Sequence, residues 1–357
     1  MASVYIEQDG IPPLPCSLVF WPNYRFPLSE KRLFLRDIMA VYEQPFFSIA
    51  QHIEEADFVA VPFEYFDVLD RHGSYLQHVY AVAKKAGKKV LLFDYTDYVD
   101  RDSVLPPEAV LFRVSVYRHH QKKNEIVMPY FVEDIGSRYG IEPKHKSSAP
   151  TVGYCGYARF GSALRRIRAE VKRVLQLCML VLYFDPIPFV HQRGMFWRTK
   201  AITILRASGL PHAIIERPFY SGHRASVTTS PDSIRREYVE NLRECDMALS
   251  VRGDANASQR FYEILSAGRI PLFLDTDCVL PLQESIRYDD CMIRVSSKDV
   301  SLLGKKATSW YAGRSELELL EAQEKSRKFF QEYLRLDRYF DIVFNRARSP
   351  YVTLLFS

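Results

Sequence analysis

The chain has 357 residues, 47% of them hydrophobic, and its 22 Tyr and 23 Phe supply too much buriable surface for a disordered polymer. At about 100–200 residues per domain the length suggests two domains with real cores, and the sparse 15 glycines exclude collagen-like or glycine-rich repeats. The formal net charge of +5 is too diffuse to indicate nucleic acid and better suits a surface that attracts an anionic small molecule. Met1 to Pro15 carries Glu7, Asp9 and several prolines without the basic start and apolar run of a signal peptide, so a soluble, cytoplasmic protein is expected. The most apolar stretch, Val174 to Phe184, is interrupted by Gln176 and falls well short of the ~20 residues of a bilayer span, so no membrane span is expected. Cys16, Cys155, Cys178, Cys245, Cys278 and Cys291 are scattered without a C-x-x-C pair, which reads as reduced, mostly buried thiols.

Along the chain, apolar runs of strand length alternate with amphipathic runs of helix length, the order of α/β layers on parallel sheets. Strands are expected at Ser17 to Phe20, Phe58 to Val61, Lys89 to Phe93 and Ala109 to Arg113. Between the second and third, Tyr75 to Ala86 has helical spacing and stops at Gly87, which makes a β-α-β unit. Gly136 to Pro150 is charged, rich in Ser, Gly and Pro, and aperiodic, as an interdomain linker would be. A second series of strands follows at Thr151 to Cys155, Ala213 to Ile215, Met247 to Val251, Ile270 to Leu274 and Met292 to Val295. Its helices are a strongly basic one over Leu164 to Val181, then Ser233 to Cys245, then Ser258 to Ala267 closed by Gly268. After residue 299 the chain reads as helix, with Leu317 to Leu336 the longest piece. In such sheets ligands bind beyond the carboxyl ends of the strands, so chemistry is sought just after each strand.

The run after Met247 to Val251 is the most informative. Arg252 ends the strand, a Gly-Asp-Ala-Asn loop follows, and Asn256 or Ser258 is placed to cap the next helix. A helix N-terminus with unpaired N–H groups and the positive end of its dipole is an anion site, and Arg252 and Arg260 flank it. Arg260 and Glu263 share a helix face, with Phe261, Ile264 and Leu265 turned toward the sheet. Guanidinium and amide donors can hold a diphosphate, while a carboxylate one turn on can accept from both hydroxyls of a ribose. An ordinary surface ion pair between Arg260 and Glu263 explains the same spacing; the position after a strand favours nucleotide diphosphate binding.

Asp246 through Pro281 closely resembles the signature of the exostosin-like glycosyltransferases, family 47 in the sugar-transferase classification. Ala56 to Pro62, Phe112 to Tyr117, Asn124 to Pro129 and Thr151 to Gly156 are similar to further segments of such proteins, so that the resemblance covers roughly residues 55 to 295. It implies a GT-B architecture, two Rossmann-like α/β domains facing across a cleft with C-terminal helices, and sugar transfer from a nucleotide donor with inversion. It also implies that Glu263 binds the donor ribose and that Arg252, Ser258 and Arg260 surround the diphosphate. The implied domains are 1–140 on the acceptor side, 141–330 for the nucleotide sugar, and a helical segment, 331–357, packing back on the first.

Other candidates have competing readings. Asp275-Thr-Asp277 has the D-x-D form of a hard divalent site, but local hydrogen bonding in a strand-end turn explains it too. No metal or other cofactor is expected, and positive charge must then stabilise the leaving diphosphate. Gly153 and Gly156 either let backbone approach the donor or form a plain strand-to-helix turn. Arg217 follows a strand and is a further phosphate candidate, whereas Arg165, Arg166 and Arg168 on the basic helix also read as a solvated face. An inverting transfer needs a base for the acceptor hydroxyl; among the strand-end carboxylates of the first domain, Glu64, Asp67, Asp94 and Asp97, the choice falls on Asp97 and then Glu64. His119 and His120 lie in a basic run from Arg118 to Lys123 that reads as a solvated loop, with acceptor contact as the alternative. Asn256-Ala-Ser258 matches an N-glycosylation pattern without a secretory signal to give it meaning.

These expectations combine into an inverting, metal-independent transferase moving a sugar from a UDP-sugar such as UDP-xylose, UDP-galactose or UDP-glucuronate to a glycan hydroxyl. The alternative from another class is a catalytically silent glycan-binding protein of the same fold. Nucleic acid is not expected, since no aromatic-plus-basic strand motif of the RRM type occurs.

Overall fold

The computed structural model describes residues 1–24, 33–39, 42, 44–222, 226, 227 and 229–356. Two parallel sheets follow one another along the chain. The first contains β1 (Ala2–Tyr5), β2 (Phe47–Ala50), β3 (Phe58–Glu64), β4 (Val90–Asp94), β5 (Ala109–Arg113) and β6 (Glu125–Val127), in the order β2-β1-β3-β4-β5-β6. The second contains β7 (Val152–Tyr157), β8 (His212–Arg217), β9 (Met247–Ser250), β10 (Ile270–Asp275) and β11 (Ile293–Ser296), in the order β11-β10-β9-β7-β8. Both are wound alike: the chain enters centrally, steps to one side, then crosses back. The winding direction reverses between β1 and β3 in one sheet and between β7 and β9 in the other, the positions where parallel sheets open a crevice at their carboxyl ends.

Parallel strands covered on both faces read as continuous apolar runs, and β4 and β5 are buried at every residue. Strand periodicity sends alternate side chains to opposite layers. Val59, Val61, Val90, Leu92 and Leu111 meet the helical layer of Tyr75, Leu76 and Val79, whereas Phe58, Leu91, Phe93, Val110 and Phe112 face the layer that contains Phe340. The helices α1 (Leu35–Met39), α2 (Tyr65–Arg71) and α3 (Gly73–Lys85) belong to the first half. Gly87 closes α3 at φ +64, with its N–H on Lys84 O and the Lys88 N–H on Ala83 O, the paired bonds of a left-handed helix stop.

Around the second sheet lie α4 (Ile135–Tyr139), α5 (Ala163–Leu182), α6 (Gly194–Ala207), α7 (Pro231–Glu244), α8 (Gln259–Ser266), α9 (Leu303–Ala312) and α10 (Glu316–Phe329). Trp197, Ala201, Leu205, Leu303 and Ala307 cover one face, while Tyr238, Val239, Leu242 and Ile264 pack with Cys155 and Ala248 on the other. The basic α5 has no buried residue and leaves Leu164, Ile167, Val171 and Leu175 exposed. The chain then crosses to the first sheet through α11 (Leu336–Val343), and α12 (Val352–Phe356) lies near its end. Phe340 packs 5.4 Å from Phe47 and 6.1 Å from Phe112, and Tyr339 donates to Val127 O.

Several expectations change. Ser17 to Phe20 is not a strand: Leu18–Phe20 forms a single 3-10 turn that buries Val19 and Phe20. The strands β1, β2 and β6 were not foreseen, being only four, four and three residues long. Residues 136–150 are not loose, since α4 is capped by Asp134 and Lys144 exchanges two hydrogen bonds with Gln323. The helix expected over Leu317 to Leu336 breaks at a π turn, Phe330–Leu334. All six cysteines are unbridged; Cys155, Cys245, Cys278 and Cys291 are buried, and Cys178 is exposed. Among the described residues no helix is long and apolar enough to cross a membrane.

The aromatic contact between α11 and the first sheet gives a direct test. Phe340→Ala should destabilise the protein by about 3–5 kcal/mol through lost burial and a residual cavity. Chemical unfolding followed by tryptophan fluorescence and circular dichroism measures it, and an unchanged transition would mean that α11 contributes nothing to that core.

Candidate functional site

The carboxyl-end loops of the two sheets meet. Arg252, just after β9, is 3% exposed and gives its N–H groups to the Tyr117 hydroxyl at 2.6 Å, Val190 O at 2.9 Å, Asp254 O at 2.8 Å, Ala255 O at 3.2 Å and Gly253 O at 3.3 Å. Tyr117 lies beyond β5, so this guanidinium joins the two halves while folding the 253–255 loop around itself. Asn256 Nδ2 donates to Val116 O and Asn256 Oδ1 accepts from Thr276 at 2.6 Å; Tyr117 also bridges to Cys278. Arg252 thus points inward, and its donors are committed to the protein rather than presented to a diphosphate.

Arg217 is likewise turned inward. At 5% exposure it holds Glu237 at 2.5 Å and Ile234 O at 2.9 Å, tying β8 to α7. Gly153 faces α7, where an added Cβ would lie 2.8 Å from the Cys245 side chain. Close sheet–helix packing therefore explains that glycine, and no approach of backbone to a ligand is needed. Gly156 differs, because a Cβ there would overlap the Arg260 guanidinium.

Arg260 occupies that space. It donates to Cys155 O at 2.5 Å and lies 4.2 Å from the Tyr154 ring, with its buried Nε lacking a hydrogen-bond partner among the described residues. Ser258 caps α8 by accepting from the Arg260 amide. One turn on, Glu263 accepts from the Tyr238 hydroxyl at 2.7 Å and stands 3.5 Å from Arg235 Nη1. Arg235 also pairs with Glu133, which in turn holds Arg138 at 2.7 Å. Burial first, and then the Glu263 carboxylate, hold the Tyr238 hydroxyl well above its ordinary pKa, so it remains a donor.

The result is a compact polar cluster of Arg260, Glu263, Arg235 and Tyr238 beside the end of β7, next to the reversal between β7 and β9. Of these, Arg235 and Tyr238 escaped the sequence reading. The signal was present in Ser230-Pro-Asp-Ser-Ile-Arg235, a helix start following the β8 strand, but its partners are more than twenty residues away. Chemically the cluster brings two guanidinium groups, one carboxylate and a phenol together, a set able to bind phosphates and vicinal hydroxyls.

In the first sheet Glu64 ends β3 and accepts from the Tyr95 N–H at 2.8 Å, so its carboxylate is anchored at the end of β4. Asp97 is exposed two residues farther along that loop. Asp94 is buried against Arg113 at 2.9 Å and Thr96, with burial pushing its pKa up; it serves the interior, and Asp67 faces Arg71 on α2. The loop holding His119 and His120 is not simply solvated. His119 is largely enclosed, 2.5 Å from Asp277, while Arg118 reaches Asp277 at 3.4 Å and Cys278 O at 2.7 Å. Asp275 is held by Arg294 at 3.0 Å and by the Cys278 N–H at 2.8 Å. Both D-x-D carboxylates are therefore engaged at the junction of the two sheets.

No protein-family profile matches this chain. Over 101 residues it is 30% identical to the Exostosin-1 homolog of Caenorhabditis elegans, a match that covers 28% of this chain and 25% of that protein. The chain thus spans about a quarter of the length of the curated relative it matches, and its similarity to an exostosin is partial.

The two glycines of β7 separate packing from site chemistry. Gly153→Ala should cost about 1–3 kcal/mol of stability by overpacking against Cys245. Gly156→Ala should cost less, because the clash falls on the far end of the long Arg260 side chain rather than on a Cβ. Denaturant midpoints of the two variants check the order, and an unperturbed Gly153→Ala would contradict the packing contact.

Proposed function

We propose that this chain is a glycosyltransferase whose nucleotide-sugar donor, a UDP-sugar, binds at the carboxyl ends of β7 and β9. The observation that carries the reading is the Arg260–Glu263–Tyr238–Arg235 cluster at the reversal of the sheet. The partial similarity to an exostosin supports the reaction class. Glu263 is the partner for the ribose hydroxyls, which replace the Tyr238 hydroxyl as its donor. Arg260 and the N-terminus of α8 supply positive potential for the diphosphate, while Arg235, paired with Glu133, helps to hold Glu263 in place.

Transfer is an in-line displacement with inversion. The acceptor hydroxyl oxygen forms its bond to the anomeric carbon as the carbon–oxygen bond to the diphosphate breaks. A first-sheet carboxylate, Asp97 before Glu64, takes the hydroxyl proton, and the nucleoside diphosphate leaves with the bonding electrons, stabilised by Arg260. With Asp275 and Asp277 engaged by Arg294, Arg118 and His119, the leaving group is assigned to guanidinium rather than to a metal held by that turn.

Calorimetry with UDP tests the donor site. Glu263→Ala should weaken UDP by about 10- to 100-fold, matching the ~1.5–3 kcal/mol of hydrogen bonds to a charged group. Unchanged affinity would remove the ribose assignment. For turnover, a panel of UDP-sugars is offered with glycan acceptors; Asp97→Asn should lower kcat by about 10²–10⁴-fold without altering UDP binding, and adding or withholding Mg²⁺ or Mn²⁺ should leave the rate unchanged. The inward commitment of Arg252 and Arg217 favours one second reading, a glycan-binding protein without turnover. UDP binding with no transfer from any donor would select it.

A further inference from the structure

Away from Arg260 and Glu263, four side chains from both halves of the molecule converge on one point. His119 and His120 come from the turn after β5, and Asp185 and His191 from the connection between α5 and α6. Each offers one ligand atom, and these atoms all lie within 4.8 Å of one another. Asp185 Oδ2 stands 3.2 Å from His191 Nε2, 3.6 Å from His120 Nε2 and 3.8 Å from His119 Nε2. Donor atoms about 2.1 Å from a tetrahedral ion are separated by about 3.4 Å, and the three spacings from Asp185 lie close to that edge.

The outer nitrogens are already committed. His119 Nδ1 lies 2.5 Å from Asp277, and His191 Nδ1 lies 2.6 Å from Asp100. A carboxylate behind the far nitrogen of a ligating histidine fixes the tautomer that leaves Nε2 with its lone pair, the usual outer arrangement of protein zinc sites. The inner nitrogens of His119 and His191 are buried and have no hydrogen-bond partner among the described residues. Leaving such lone pairs dry and unpaired is costly unless a hydrogen-bond donor or a cation meets them. A divalent cation needs only neutral imidazoles, and with Asp185, Asp277 and Asp100 nearby its charge is more than balanced.

We propose that the chain binds one zinc ion through Nε2 of His119, His120 and His191 and a carboxylate oxygen of Asp185, clasping the two sheet-bearing halves together. Three nitrogens and one oxygen suit zinc over Mg²⁺ or Ca²⁺, which take octahedral or larger oxygen shells. The four protein ligands fill the coordination shell, which makes the site structural. It does not depend on the donor-site reading.

The test uses the full chain without an affinity tag, dialysed against a chelator and then titrated with Zn²⁺ against a chromophoric zinc indicator, with elemental analysis for stoichiometry. About one zinc per chain is expected, and the thermal midpoint should rise with zinc as it does for any ligand held only by the folded state. Cobalt should give the intense visible absorption of a tetrahedral ion. His119→Ala combined with His191→Ala should abolish stoichiometric binding, whereas His145→Gln, at an exposed site elsewhere, should leave it intact. Asp277→Asn, which keeps all four ligands and the fold, should weaken zinc by about 10- to 100-fold. Absence of zinc binding to the dialysed chain, full stoichiometry in the double histidine variant, or unchanged affinity in Asp277→Asn would each overturn the site.

Discussion

The placement of everything near the candidate site depends on the buried guanidinium of Arg252. An arginine cannot shed its charge by losing a proton, so its burial is tolerated only where its N–H groups find acceptors. Here the acceptors are four carbonyl oxygens and one phenol, taken from its own loop, from Val190 and from Tyr117 of the other half. Satisfying that one side chain fixes three things together: the path of residues 253–255, the position of the β5 exit loop, and the seat of the 190 segment. Because 253–255 leads into the Ser258 cap, the direction in which α8 sets out is fixed as well. Arg260 and Glu263 inherit their positions from it.

The arginines thus divide by what surrounds them rather than by their place in the sequence. Arg217 and Arg252 follow strands, as phosphate-binding arginines do, yet both are consumed by internal acceptors. Arg260 sits on Tyr154 in space that only Gly156 leaves open, and Arg235 sits between two carboxylates, Glu133 and Glu263. The latter pair lies where the parallel sheet reverses. A ligand arriving there meets donors already oriented by aromatic rings and carboxylates, so less ordering is required on binding.

What was legible in the sequence follows from burial. The strands β3, β4, β5, β9 and β10 are covered on both faces and spell continuous apolar runs, so they stand out without partners. β1, with four residues, gains its place only from hydrogen bonding to β2 and β3 on either side, and nothing local announces that. Ser17 to Phe20 is as apolar as a strand but is buried as a turn. The same limit applies to the site. Glu263 and Arg260 were visible because cap, helix face and strand end lie within a dozen residues. The inward turn of Arg252 depends on a hydroxyl 135 residues away, and the approach of His191 to His119 joins residues 72 positions apart. No spacing rule spans such separations.

The Asp275-Thr-Asp277 turn shows how a motif can be read correctly as polar and wrongly as to partner. In isolation two carboxylates flanking one residue suggest an oxygen site for a hard cation. In the folded chain Asp277 adopts φ +65, which turns it toward the 118–119 backbone, where it accepts from the His119 N–H and meets the His119 ring. Asp275 is held by Arg294 and the Cys278 N–H, with Arg118 3.6 Å from its carboxylate. Neither carboxylate is then available as an inner ligand, but Asp277 is sited to orient His119, a ligand of the proposed zinc site. The negative charge of the turn is directed to the junction between the sheets, and Arg260 lies apart from it, on the Tyr154 ring. With the two kept apart in this way, the proposed zinc clasp and the proposed anion site would not neutralise each other.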